Sequence, residues 1–192
     1  LSSAAFQPRK VRSITLAGVT DTRDNRFDPR RGGYQSLSAE FAGAFGGAEF
    51  NKYSLDLRRY ISVSRRNVLA VRLLAGTVTG DAPYLEQFLV GGAESLRGYR
   101  LDRFAGSHMA IVNCEYRFPL TKNLLGVVFV DAGDAWGGDI SADPFIQGDT
   151  EFSVHTGYGA GIRVKTPIGP LRLDLGFSED GTETHFGVSH MF

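Results

Sequence analysis

Apolar and polar residues alternate one by one over long stretches of this chain. The clearest run is Leu171 to Phe177, where Leu171, Leu173, Leu175 and Phe177 take one set of positions and Arg172, Asp174 and Gly176 the other. The same period of two sets Tyr53, Leu55 and Leu57 against Lys52, Asp56 and Arg58, and Leu69, Val71 and Leu73 against Arg72. It sets Ala110, Val112, Cys114, Tyr116 and Phe118 against Asn113, Glu115 and Arg117, and Tyr158, Ala160, Ile162 and Val164 against Gly157, Gly159, Gly161, Arg163 and Lys165. Successive side chains of a strand point to opposite faces, so the pattern predicts strands with one apolar and one charged face. The predicted strands are 10–19, 33–45, 49–62, 67–78, 107–118, 124–134, 152–166, 170–178 and 183–192. Short turns at 64–67, 119–123 and 166–170 alternate with long connections at 79–106 and 135–151.

Two all-β architectures alternate in this way. A soluble β-sandwich turns its polar face to water. A membrane β-barrel turns its apolar face to lipid and its charges into the lumen. Most of the predicted strands run to ten residues or more, nearer the ~9–11 of a membrane strand than the ~5–6 of a globular one. Short turns on one side and long loops on the other are also the barrel arrangement, with the C-terminus at the periplasmic, short-turn side. The expected fold is therefore an antiparallel transmembrane β-barrel of about eight strands, or the C-terminal half of a larger barrel, in a single domain over 1–192. Counted back from Phe192, segment 10–19 is a ninth strand that starts on the loop side. Either it does not span, leaving 1–32 as a periplasmic N-terminal segment, or the sheet is half of something larger.

Composition changes this picture little. The hydrophobic fraction of 42% and mean hydropathy of −0.13 would by themselves describe a soluble protein, but only every second residue of a barrel strand meets lipid. The longest apolar run, 124–130, is broken by Gly126 and is far short of the ~20 residues of a spanning helix. Twenty-one basic and 21 acidic residues cancel, which argues against a nucleic-acid partner. The single Cys114 excludes an internal disulfide, and its mid-strand place on the apolar face predicts a buried structural thiol. His108, His155, His185 and His190 show no metal spacing. His185 and His190, five apart, fall on opposite faces if they share a strand. No nucleophile elbow is present, and the chain reads as neither an enzyme nor a cofactor protein.

Four motifs stand out. Asp21, Arg23, Asp24 and Asn25, followed by Pro29 and Gly32, form a polar turn ahead of an aromatic strand. Leu96-Arg97-Gly98-Tyr99 lies in the Gly-rich 79–106 connection. Phe129, Asp131 and Gly133 share one strand face. His185, Gly187, His190 and Phe192 close the chain on an aromatic residue. Together they resemble the outer-membrane assembly superfamily: barrels of the BamA/TamA and two-partner-secretion type, also described as the surface-antigen barrel domain. In that resemblance Leu96–Tyr99 is a loop that folds back into the lumen, with Leu96 where Val or Ile is usual. Phe129, Asp131 and Gly133 are its partner strand, and Arg97 pairs with Asp131 through a bidentate guanidinium–carboxylate contact. Asp21 to Gly32 is the periplasmic turn. His185 to Phe192 is the β-signal, with polar His190 where a hydrophobic residue is usual. Gly157, Gly159 and Gly161 on one face would clear space for the packed loop.

The resemblance runs from about Ser13 to Phe192 and leaves out the family's periplasmic repeat domains. It implies a bacterial outer-membrane barrel that aids insertion or translocation of outer-membrane proteins, or movement of lipid, through a weak strand seam. The alternatives are a structural or passive-transport barrel without client handling, a fragment of a larger barrel, and the soluble sandwich. The expected partners are membrane lipid, client outer-membrane proteins and a second copy of the chain. The homodimer is expected because eight strands leave little room for an inward loop.

Overall fold

The structure is a computed structural model and describes residues 9–138, 148, 150–166, 170–188 and 190–192. Its strands are β1 (Ser13–Asp21), β2 (Gly32–Ala42), β3 (Phe50–Ser62), β4 (Val68–Gly80), β5 (Phe88–Val90), β6 (Phe104–Gly106), β7 (His108–Pro119), β8 (Leu124–Trp136), β9 (His155–Val164), β10 (Leu171–Ser178) and β11 (Gly181–Val188). Nine of them form one antiparallel sheet in the order β1-β2-β3-β4-β7-β8-β9-β10-β11. β5 and β6 form a separate two-stranded sheet inside the long β4–β7 connection.

The faces settle the choice between sandwich and barrel. On β10, Leu173 and Leu175 are 46% and 43% exposed, while Arg172 and Asp174, which alternate with them, are 1% and 0% exposed. On β7 the alternation places Met109, Ile111, Asn113, Glu115 and Arg117 inside. Charge points in and hydrocarbon points out, the reverse of a soluble sandwich and the arrangement of a membrane barrel. Cys114 goes out with Val112 and Tyr116. It is half-buried on the outer face rather than enclosed, because the apolar face of this sheet is the outside.

Segment 10–19 resolves as β1, paired along its whole length with β2 from Ser13↔Ala42 to Asp21↔Tyr34. The sheet thus has nine strands, and part of segment 1–32 belongs to it. β1 and β11 are its edges and do not pair with each other, so the sheet is open. The connections after β1, β3, β7 and β9 lie at one end with the C-terminus; those after β2, β4, β8 and β10 lie at the other, and two of these, 81–107 and 137–154, are the longest in the sheet, whereas β10 and β11 are joined by two residues.

The last strand stops at Val188 instead of running to Phe192. Met191 and Phe192 turn inward and are buried with Tyr60, Val68 and Ala70. His190 therefore does not fall on the face opposite His185, and both are buried. The interior has three layers along the strands. At the loop end β5, β6 and the Leu96–Tyr99 segment pack on Phe50, Val78, Met109, Ile111 and Ala135. At the turn end the inward tail packs on β3 and β4. Charged side chains lie between.

Candidate functional site

The middle layer is built around Arg97. Its connection leaves β4, forms the short β5–β6 sheet and is drawn back into the lumen, where Arg97 is fully buried. Its Nε and Nη2 donate to the two oxygens of Asp131 at 2.7 and 2.9 Å, the bidentate pairing that a planar guanidinium favours. Its Nη1 donates to Glu115 at 2.5 Å and lies 3.5 Å from Asp174. Its backbone N–H donates to Asp131 at 3.2 Å. The guanidinium also lies 3.6 Å from the centroid of the Phe129 ring, a buried cation–π contact.

The carboxylates around Arg97 are shared. Glu115 also accepts from Arg117 at 2.8 Å and from Arg163 at 3.3 Å. Asp174 accepts from Arg163 at 2.5 and 3.0 Å. Three guanidinium groups thus face three carboxylates, all buried, on β7, β8, β9, β10 and the loop. An isolated charge in such a layer would carry a large desolvation cost, and alternating the signs offsets it. Arg172 pairs with Glu94 of the loop, while Arg72 donates to Asp56 and to the Glu94 carbonyl oxygen at 3.1 Å.

Backbone contacts hold the rest of the loop. Gly98 lies at φ +94°, a conformation that favours glycine, and its N–H donates to Nε2 of His185 at 3.1 Å. The Gly98 carbonyl oxygen accepts from Ser178 at 2.6 Å. The Tyr99 hydroxyl reaches Glu179 at 3.3 Å, and its ring meets Phe104 edge-on at 5.2 Å. Leu96 is buried in the apolar layer above. Two wall glycines, Gly157 and Gly176, lie against the loop, whereas Gly159 and Gly161, expected to clear space for it, face Leu175, Phe129 and Asp174 instead. A Cβ on Gly157 would overlap the Arg97 carbonyl oxygen, and one on Gly176 would stand 2.5 Å from the Gly98 nitrogen. Gly133 likewise lies against β7 backbone.

The β1–β2 turn is bonded to itself. Arg23 donates to Asp21 at 2.9 Å; Asp24 accepts from the backbone N–H groups of Arg30 and Arg31, and Asn25 from those of Phe27 and Asp28. Pro29 is buried, and Gly32 lies at φ +92°. One member of this turn reaches across the sheet: Asp28 accepts from Lys165 at 2.7 Å and from His190 at 3.2 Å. That contact draws the two sheet edges toward each other at the turn end. Burial and the nearby Arg117 push the His190 imidazole down to about 4, against the opposing pull of its bond to Asp28. The same bond, with Lys165, holds Asp28 well below the usual carboxylate range. At neutral pH, His190 is the uncharged donor and Asp28 the ionised acceptor.

The structure thus brings Leu96–Tyr99, Phe129, Asp131, Gly133 and His185 into one cluster. It places the turn motif, His190 and Phe192 in a second, at the turn end. Gly187 lies on β11, where a Cβ would press on the Arg172 guanidinium at 2.5 Å. Glu115, Arg163 and Asp174 were legible only as polar-face positions, and their joining across strands needs the register. The Phe192 carbonyl oxygen accepts from Arg117 at 3.1 Å, a bond for which the sequence carries no signal.

The Omp85 superfamily domain matches residues 7–192. The outer membrane protein assembly factor BamA of Nitratidesulfovibrio vulgaris is 30% identical over 179 residues, covering 83% of this chain and 22% of that protein. The chloroplastic outer envelope protein 80 of Arabidopsis thaliana is 32% identical over 146 residues, covering 72% of this chain and 19% of that protein. This chain therefore spans about a fifth of each relative. Among solved structures, BamA from Haemophilus ducreyi lacking POTRA domains 1–3 superposes with a TM-score of 0.76 at 17% identity, over 91% of this chain and 40% of that one.

Proposed function

The chain belongs to the Omp85 superfamily, and on that premise we propose that it forms the wall of an outer-membrane barrel that assists insertion or translocation of outer-membrane proteins. The observation that carries this reading is a rigid half joined to an open edge. β7 to β10 are cross-linked by the buried charge layer, while β1 and β11 leave backbone groups unpaired. In hydrocarbon each unpaired group costs several kcal/mol, so the edges take up any strand offered. An incoming client strand satisfies them, as does a second copy of this chain or further strands of a longer one. The loop motif and its partner strand act as an internal brace, and no catalytic step is involved. The turn end and the C-terminus face the periplasm.

The test is reconstitution of the chain in liposomes with an unfolded outer-membrane protein supplied from outside. Accelerated client folding, lost when β1 and β11 are cross-linked through engineered cysteines in a Cys114→Ala background, supports the reading. Conductance or lipid scrambling without client folding would replace it with a passive barrel. Cross-links that form only between subunits would assign the edges to a homodimer.

A further inference from the structure

The formal charge of zero conceals a polarity along the strands. The turn-end connections 22–31, 63–67, 120–123 and 165–170 carry eight Arg and Lys against two Asp. Among the described residues, the loop-end connections 43–49, 81–107, 137–138, 148, 150–154 and 179–180 carry three Arg against eight Asp and Glu. Both turn-end aspartates are engaged, Asp24 by backbone N–H groups and Asp28 by Lys165 and His190. Arg59, Arg65, Arg66 and Lys122 are exposed and form no ion pair among the described residues.

These cations begin where the apolar outer face ends. Ile61, Val63 and Leu120 are exposed at the turn-end margin of that face. Arg59 emerges on the same face between Leu57 and Ile61, where a long stem lies on hydrocarbon and its head reaches the interface. A cleft of about 350 Å³ opens between the turns, lined by Arg30, Arg66, Lys122 and Lys165 together with Pro119 and Leu120. Cationic groups beside an exposed apolar margin match a phosphate headgroup with the start of its acyl chains. An acidic protein segment would match the charge but not Leu120, whose exposed side chain continues the lipid-facing surface.

We propose that the turn end binds the phosphate headgroups of anionic phospholipids in the leaflet it faces, and that the cleft between Arg66 and Lys122 seats one of them. The proposal rests on the membrane-barrel reading, and the test separates the two. The chain is placed in nanodiscs of phosphatidylcholine with a minor share of phosphatidylglycerol, and the lipid that remains bound after mild detergent extraction is quantified. Circular dichroism in the same discs reports the barrel. A missing β signal there would count against the barrel itself, and hence against the headgroup site.

The expected result is enrichment of phosphatidylglycerol over phosphatidylcholine. Each cation near an anionic surface contributes about a fivefold factor, so the Arg66→Ala/Lys122→Ala double variant loses about twenty-five-fold in enrichment. Lys10→Ala, at the loop end, keeps it. With the fold intact, equal retention of both lipids, or unchanged enrichment in the double variant, overturns the proposal. So does release of the lipid by inorganic phosphate at matched ionic strength, which would make the site one for free phosphate. Preferential capture of polyglutamate would make it a site for an acidic polypeptide and overturn it equally.

Discussion

Removing the Arg97 guanidinium tests the charge layer most directly. In Arg97→Ala, Glu115 keeps Arg117 and Arg163, and Asp174 keeps Arg163. Asp131 loses both of its bonds to the guanidinium, and Phe129 loses its cation. Three buried carboxylates then face two buried cations. Removing one partner of a buried pair costs about 3–5 kcal/mol, and a desolvated cation–π contact about 2 more. The loop contributes both to the apolar layer and to the charge layer, so much of the loss falls on its local opening. An opening free energy lower by about 3 kcal/mol raises the open population more than a hundredfold. The assay is limited trypsin cleavage after Arg100 and Arg103 in detergent-folded protein, read beside urea denaturation. Asp131→Ala should accelerate cleavage comparably, and the Arg97→Ala/Asp131→Ala double variant should cost less than the sum of the two. Cleavage and denaturation at parental values in both single variants would refute the reasoning.

Three further outcomes are expected. Gly157→Ala forces a methyl group into the Arg97 carbonyl oxygen and should cost about 1–3 kcal/mol, whereas Gly18→Ala, with open space around it, should be neutral in the same urea denaturation. Leu175→Arg puts a charge on the lipid face and should cost about 2–4 kcal/mol in bilayers if the residue lies near the midplane, measured by urea unfolding from vesicles. The His190 imidazole is held down to about 4 in the folded chain, so its contribution is complete above the unfolded value of about 6.5 and is lost as pH falls toward 4. The loss should approach about 3 kcal/mol at pH 4, with Asp28 still ionised, and His190→Asn should flatten the profile.

Much of the wall was legible because a strand's two faces differ in chemistry along its whole length. Arg172 and Asp174 between leucines locate β10 to within a residue of its observed start. Arg97 and Asp131 could be paired from the family resemblance. Glu115, Arg163 and Asp174 could not be joined to them, because period two gives a face without giving neighbours. Those come from register, such as Asp174↔Gly161 beside Arg172↔Arg163. The β5–β6 sheet was hidden by its size, three residues per strand in a Gly-rich connection. The tail reads as strand in the sequence because His190 and Phe192 continue the extended pattern of β11. What turns it inward is remote: Tyr60 on β3, Arg117 on β7 and Asp28 in the first turn. The polarity of charge vanished in the sum over the chain.

The distances in sequence between the loop and its partners bear on the order in which the chain can mature. Arg97 meets Glu115 18 residues later and Asp131 34 later, but Gly98 meets His185 only after 87. Closing the longest of these rings costs about 1.4 kcal/mol more in chain entropy than closing the shortest. That contact also cannot exist before the last hairpin does. With β7 and β8 in place the loop already meets Glu115 and Asp131, but Arg163 and Asp174 are added only by β9 and β10. Until they are, the lumen holds an unfinished set of charges and a loop free to leave. Completion of the brace thus requires the C-terminal hairpin, and without that hairpin the Arg97 segment lacks the contacts of Gly98 to His185 and Ser178 that close it down.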